Sequence, residues 1–368
     1  IAFHEHPLHG DDRGWPALVV VATRSRRDLT PELGSVSGLA WRPDGREVCF
    51  ASGATILCAA TGGGRPWQVL RGPALFELHD ISSDGRLLVS TYTIRSILMA
   101  SSGGPEVDVS WLQFSLPVDF EPSKKRLLFE TLDYGIYLRG VDRSPPVRLG
   151  DGLPTGLSPD ARRLLAIVPG VPSKLALIPT GPGETTTFPN GPLAQHDWAA
   201  WMPDGRRIVV SGAEPGKGSR LYLQDVEGGP PRPLTEEGVR LEPYVARAVS
   251  PDGRFVTALR PDGQAALYPI DGGEPRPLPG LGSDLVPLGW TDRPDVLFAR
   301  PRSDGRTRPV YRVHVATGRR QLWKELGPDD RTGAPFVRFV AISPDGGSYA
   351  YAASRVDTDL FAVSGAFP

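Results

Sequence analysis

Cysteine is scarce: Cys49 and Cys58 are the only two in 368 residues, too few for a disulfide framework or a complete structural zinc site. Charge of one sign is equally lacking. The 41 Lys and Arg are interleaved with 42 Asp and Glu for a net charge of −1, so no basic stripe can track a phosphate backbone and nucleic acid is not an expected partner. No run of about eighteen apolar residues occurs, as a spanning helix would need. The opening IAFHEHPLHG has neither a basic nor an apolar leader segment. The chain as given is expected to be soluble, with membrane contact only through a segment absent from it.

Motifs of catalysis are missing too. HEHPLH (4 to 9) nearly spells a zinc-protease helix, but the second His would have to stand at Leu8, and Pro7 would break the helix. GAEPGKGS (212 to 219) imitates a phosphate loop, yet it is one residue short and lies between two apolar strands, so it reads as a hairpin loop. No GxSxG elbow occurs, and the six histidines offer no nucleophile and base pair. The expectation is a protein that is not an enzyme, with no catalytic residue, no cofactor and no bound metal.

Glycine and proline, by contrast, are abundant. The 43 Gly and 39 Pro are spread along the whole chain, leaving little room for long helices and much for short strands joined by tight turns. With 40% hydrophobic and 23% charged residues a large core is available. One phrase recurs: LAWRPDGREVCFAS, DISSDGRLLVSTY, VDFEPSKKRLLFET, GLSPDARRLLAIV, AAWMPDGRRIVVSG, AVSPDGRFVTAL, LGWTDRPDVLFAR and VAISPDGGSYAYAA. Its Asp slot falls at Asp44, Asp84, Lys124, Asp160, Asp204, Asp252, Arg293 and Asp345, spaced by 40, 40, 36, 44, 48, 41 and 52 residues. A period of about 40 to 45 residues is that of one four-stranded propeller blade.

Proline presets φ and glycine accepts positive φ, so the phrase makes a tight turn between two apolar strands. A second mark about twenty residues on, such as EGGPPRPLT (227 to 235) or DGGEPRPLP (271 to 279), turns the third strand into the fourth. Meanders this apolar must be covered by stacked neighbours. The fold class is therefore all-β: a β-propeller of four-stranded antiparallel blades, eight by the count of anchors, with seven as the alternative. Residues 1–34 read as partial blade strands that close the ring, 17–23 pairing with 359–363, and 35–368 as the propeller. In the last copy, 339–342, 348–353 and 359–363 read as three successive strands.

The motif resembles the TolB-like, WD-type propeller repeats of bacteria. LHDISSDGRLLVS (78 to 90), YLRGVDRSPPVRLGDG (137 to 152), RLYLQDVEGGPPRPLTEEGV (220 to 239) and SPDGGSYAYAASRVDTDLFAV (343 to 363) narrow the resemblance to the propeller region of bacterial receptor-like serine/threonine protein kinases. No kinase signature (HRD, DFG or VAIK) stands in the chain, so the resemblance implies that kinase and membrane segments lie outside it. It also implies a binding or sensing module, extracytoplasmic and membrane-tethered in the parent protein, that meets a protein, peptide or small ligand at its rim or channel. A periplasmic TolB-like interaction scaffold and the gating propeller of a prolyl oligopeptidase-like hydrolase are the alternatives.

Candidate sites follow from breaks in the repeat. The inner-strand slot is usually small (Ala40, Gly156, Ala200, Ala248, Gly289, Ala341), but two copies place Asp80, beside His79, and Asp119 there, and Arg247 lies on another inner strand. Acids in a channel need partners, so these four are the channel candidates, with hydrogen bonding to neighbouring strands as the plainer account. His196, Asp197 and Trp198, with Glu242 and Tyr244, stand where loops enter inner strands and are the rim candidates. Trp41, Trp201 and Trp290 share a slot with Ile and Leu and are expected between blades. A turn at Gly53 and Ala54 would set Cys49 opposite Cys58; a cross-strand disulfide is open, two buried thiols the plainer reading.

Overall fold

The computed structural model describes residues 1–6, 13–112, 114–123, 125–329 and 335–367. Lys124, and Pro7 and Leu8 of the HEHPLH stretch, lie outside these. Among the described residues there is no helix; every regular element is a strand, nearly all paired antiparallel. The chain divides into two compact units: unit 1 holds 1–94 and 356–368, and unit 2 holds 95–355. Two of the eight anchor positions, Asp44 and Asp84, fall in unit 1 and the other six in unit 2.

The recurrent turn has a chemical cause that repeats with it. Ser158 Oγ donates to Asp160 Oδ1 (2.6 Å) and accepts from the backbone N–H of Arg163 (3.0 Å). Ser250 does the same with Asp252 and Phe255, and Ser343 with Asp345 and Ser348. The Asp carboxylate then takes the N–H two residues on. Serine and aspartate thus satisfy backbone groups that the turn would otherwise strand. The glycine after Asp252 has φ 72°, and where Ala161 stands in that slot it adopts φ 54°.

Unit 2 contains six sheets. Sheet I is Ser115–Phe120, Arg126–Thr131, Gly135–Gly140 and Val147–Asp151. Sheet II is Leu153–Leu157, Arg163–Val168, Lys174–Pro179 and Thr186–Thr187. Sheet III is Gln195–Trp201, Arg207–Ala213, Arg220–Asp225 and Arg232–Pro233. Sheet IV has Phe255–Leu259, Ala265–Pro269 and Arg276–Pro277, with segment 245–249 alongside through a bridge from Val249 to Val256. Sheet V is Leu285–Trp290, Val296–Pro301, Arg308–His314 and Arg320–Leu326.

Sheet VI is assembled from both ends of the unit. Phe336–Ile342 pairs with Ser348–Val363, which neighbours Leu87–Ser102, and Val107–Asp108 completes the order. Within unit 2, Ser348 Oγ meets Ser102 Oγ at 2.9 Å, and Ser354 Oγ meets Ser96 Oγ at 3.1 Å. The last copy therefore takes its third strand from residues near 95–102. Residues 359–363 are the continuation of a sixteen-residue strand, not a separate third strand.

Each sheet buries a face against the next. One apolar cluster joins sheets I and II (Val118, Leu128, Leu164, Ala176), others join II to III, III to IV, IV to V and V to VI, and a sixth joins VI back to I through Leu98, Ala341, Phe120 and Leu127. The circuit of packing in unit 2 is closed. Trp201 and Trp290 sit in it, 6% and 3% exposed, each donating its indole N–H to the inner strand of the preceding sheet, at Gly156 and Ala248. That is the inter-sheet role expected of them. Trp41 departs from it: in unit 1 it is 40% exposed.

In unit 1, Trp15–Val20 lies between Ala2–Glu5 and Ser25–Asp28, antiparallel to both. Its two edges are taken, so the expected pairing of 17–23 with 359–363 does not form. Ser37–Trp41, Glu47–Ser52, Thr55–Ala60 and Trp67–Arg71 make a four-stranded meander. Ser52 opposite Thr55 frames the turn at Gly53 and Ala54, and Cys49 stands opposite Cys58 with the two sulfurs bonded.

Candidate functional site

Inner strands of unit 2 carry a bulge just before the slot that faces the axis: between Pro117 and Asp119, Pro154 and Gly156, His196 and Trp198, Pro287 and Gly289, Val337 and Phe339. A bulge bends and re-aims its strand. Small residues then permit close approach: a Cβ added at Gly156 would lie 3.1 Å from that of Ala246.

Asp119 occupies the slot in sheet I and is 3% exposed. Its Oδ1 accepts from the N–H of Phe120 (2.8 Å), its Oδ2 from that of Leu157 (3.1 Å), and Arg247 Nη2 lies 3.1 Å from Oδ1. Arg247 Nη2 also donates to the Phe120 carbonyl (3.0 Å), while its buried Nε has no hydrogen-bond partner among the described residues. Burial pushes the Asp119 carboxyl up, opposed by Arg247 and the two backbone donors. Since sheets I and IV are three apart in a circuit of six, this ion pair crosses the axis.

A second crossing link involves Tyr244, whose Oη donates to Glu130 Oε1 at 2.9 Å. Glu130, on the second strand of sheet I, is 4% exposed, and its Oε2 is buried with no partner among the described residues. Burial raises its carboxyl to about 8, so it is largely neutral at pH 7. Tyr244 adopts φ 61°, and its ring contacts Phe339 at 4.5 Å and Trp198 at 5.3 Å between centroids.

On the side of the recurrent turns, a funnel of about 410 Å³ opens onto the Asp119 and Arg247 pair. Its mouth takes one turn residue from every sheet of unit 2: Pro122, Pro159, Pro203, Pro251, Asp292 and Pro344. Trp201, Met202 and Trp290 form apolar wall, and Glu121, Asp292 and Asp345 bring carboxylates. An apolar concavity with a few placed charges suits a bound side chain or peptide segment.

The expected candidates divide accordingly. Asp119 and Arg247 come together. His79 and Asp80 belong to unit 1 and are exposed; His79 Nε2 contacts Ser90 Oγ (2.6 Å) and Asp80 accepts from the N–H of Ile81 (2.8 Å). Of the rim set, His196 is 3% exposed and held by Ser173, and Trp198 donates to the Val245 carbonyl at 3.2 Å. Asp197 accepts from Gln195 Nε2 at 2.7 Å, and Glu242 faces Arg300 at 3.6 Å, its carboxyl pushed up by burial. These side chains are engaged in packing and pairing, and Tyr244 alone of the rim set reaches across the channel to an acid. The GAEPGKGS stretch is a hairpin loop between antiparallel strands, with Lys217 Nζ 2.7 Å from Glu214. Glu130 was not legible as a site residue, although an acid inside the apolar run RLLFET was its signal. Among the described residues, no group of three or more His, Cys, Asp or Glu is placed to hold a metal ion.

No known protein family matches the sequence, and comparison with curated proteins gives no match. Solved structures do resemble it. One assigned as TolB, from Agrobacterium tumefaciens, has a TM-score of 0.53 at 19% identity, covering 71% of this chain and 99% of that one. TolB from Acinetobacter baumannii gives 0.43 at 14% identity, covering 95% and 79%. A prolyl endopeptidase structure gives 0.40 at 16% identity, covering 94% of this chain and 51% of its own. The first of these establishes the class: the chain has a TolB-like β-propeller fold. Likeness at this identity speaks to fold and not to function.

Proposed function

We propose that this chain is a non-catalytic binding module in which unit 2 is a six-bladed propeller and its funnel is the ligand site. The carrying observation is the mouth, where one turn residue from each of six sheets encircles a cavity floored by an ion pair. A funnel walled by proline, tryptophan and methionine with carboxylates at its lip favours a peptide segment of a protein partner. Unit 1 holds further copies of the same repeat. Its bonded Cys49 and Cys58 favour an oxidising, extracytoplasmic compartment.

The finer reading is the sensor region of a receptor-like serine/threonine kinase, and it rests on the four sequence stretches that resemble such regions. Sequencing the gene upstream of Ile1 tests it: a kinase and a membrane span in frame support it, and a bare secretory leader supports a TolB-like scaffold. Funnel binding is tested with an immobilised peptide library and the Pro251→Arg variant, which fills the mouth. Peptides that lose binding to that variant support the reading. Peptides that bind both proteins equally would refute it.

A further inference from the structure

The wall of the funnel is shared. Thr291, Asp292, Pro344 and Asp345, from the turns of sheets V and VI, also bound a second hollow of about 440 Å³. Elsewhere that hollow is lined by Arg312 and His314 on strand Arg308–His314, and by Arg319 just beyond it, so two guanidinium groups face it.

These side chains are not equally partnered. Arg293 is held by Asp295 through two hydrogen bonds of 3.0 and 2.7 Å, and His314 Nε2 lies 3.5 Å from the same carboxylate. Thr317 donates its N–H to His314 Nδ1 (3.3 Å), so Nε2 carries the ring proton. Arg312 and Arg319 have no carboxylate partner among the described residues. The Arg312 guanidinium rests 5.7 Å from the Phe298 ring centroid, and Gly346, at φ 72°, makes room for it: a Cβ there would lie 2.9 Å from Arg312 Nη2. Two carboxylates stand on the shared ridge. That of Asp345 is taken up by Ser343 Oγ and the N–H of Gly347, and that of Asp292 is exposed.

We propose that the hollow lined by Arg312, His314 and Arg319 is a second binding site, which takes the carboxylate side chains of an acidic peptide segment. Guanidinium groups without a protein counter-charge pair with carboxylates through short charge-assisted hydrogen bonds. Asp292 on the ridge repels acids from the funnel side and so fixes where along the segment its acidic residues must fall. The site adjoins the funnel, and the proposal that one segment occupies both rests on the funnel being a ligand site.

The probes are tri-glutamate, tri-lysine and inorganic phosphate, with binding followed by fluorescence of Trp323, whose indole Nε1 would lie 3.2 Å from a Cβ on the same Gly346. Tri-glutamate is expected to bind and tri-lysine not to. Arg312→Gln with Arg319→Gln should weaken tri-glutamate at least tenfold, and the exposed Arg319→Gln alone should weaken it measurably with folding untouched. Equal binding of tri-lysine, or no loss in either variant, would overturn the proposal, and phosphate binding as tightly as tri-glutamate would overturn the peptide assignment. Pro251→Arg, which blocks the funnel, should leave tri-glutamate binding intact; a funnel without any ligand would then count against the proposed function alone.

Discussion

Arg247 reaches across the axis of unit 2 to set its guanidinium 3.1 Å from the carboxylate of Asp119, joining sheets that are three apart in a circuit of six. Removing one member leaves the other without its counter-charge in a place that water reaches poorly. Arg247→Ala is expected to cost about 3 kcal/mol, the usual penalty for breaking a mostly buried pair. The Asp119→Ala, Arg247→Ala double variant should cost clearly less than the sum of the single changes. Urea denaturation of the four proteins checks this, and additive costs would show that the pair carries no coupling.

Glu130 gives stability a pH dependence of unusual sign. Its folded carboxyl titrates at about 8, against 4.5 for an exposed one, so between those values the folded protein holds a proton that the unfolded chain has released. Stability is then fully present below about pH 4.5 and falls as pH rises through 8, by roughly 5 kcal/mol in all. Glu130→Gln keeps an acceptor for Tyr244 and should flatten this decline, leaving the variant more stable than the native chain at pH 8. Thermal melts of both proteins from pH 5 to 8 decide it; parallel curves would exclude the effect.

The Cys49 to Cys58 bond closes a short loop in the meander of unit 1. Cys49→Ala with Cys58→Ala is expected to lower stability by about 2 to 3 kcal/mol through the unfolded chain. Hydrogen exchange should report faster opening of Glu47–Ser52 and Thr55–Ala60 while the sheets of unit 2 keep their protection.

The serine of each recurrent turn should matter more than its small size suggests. Ser250→Ala removes the acceptor for the N–H of Phe255, and Ser343→Ala that for the N–H of Ser348. Each is expected to cost about 1 kcal/mol. Ser→Gly at the same places would lose the acceptor and add backbone freedom, so a larger loss in urea midpoint is expected there.

The turns were legible because their cause is local. Ser, Pro, Asp and Gly at consecutive positions satisfy their own backbone, and no distant residue is needed to read them. Asp119 and Arg247 were each legible as exceptions to the small-residue slot, but their pairing was not, since 128 positions separate them and only the closed circuit brings them together. Trp41 shares its slot with Trp201 and Trp290, yet its exposure is set by what packs on it, which the repeat does not encode. The two strands that build sheet VI carry a signal of their own: LLVSTYTIRSILMASS (87 to 102) and SYAYAASRVDTDLFAV (348 to 363) hold no Gly or Pro, and each runs as a single strand of sixteen residues.

Sheet VI places the two ends of unit 2 on neighbouring antiparallel strands, with Ser96 beside Ser354 and Ser102 beside Ser348. Tension applied at residues 95 and 355 therefore loads the ladder one rung at a time, as in opening a zipper, and not all rungs together. In a force-extension experiment unit 2 should yield first at this seam, at low force, and the five sheets made of consecutive strands should follow.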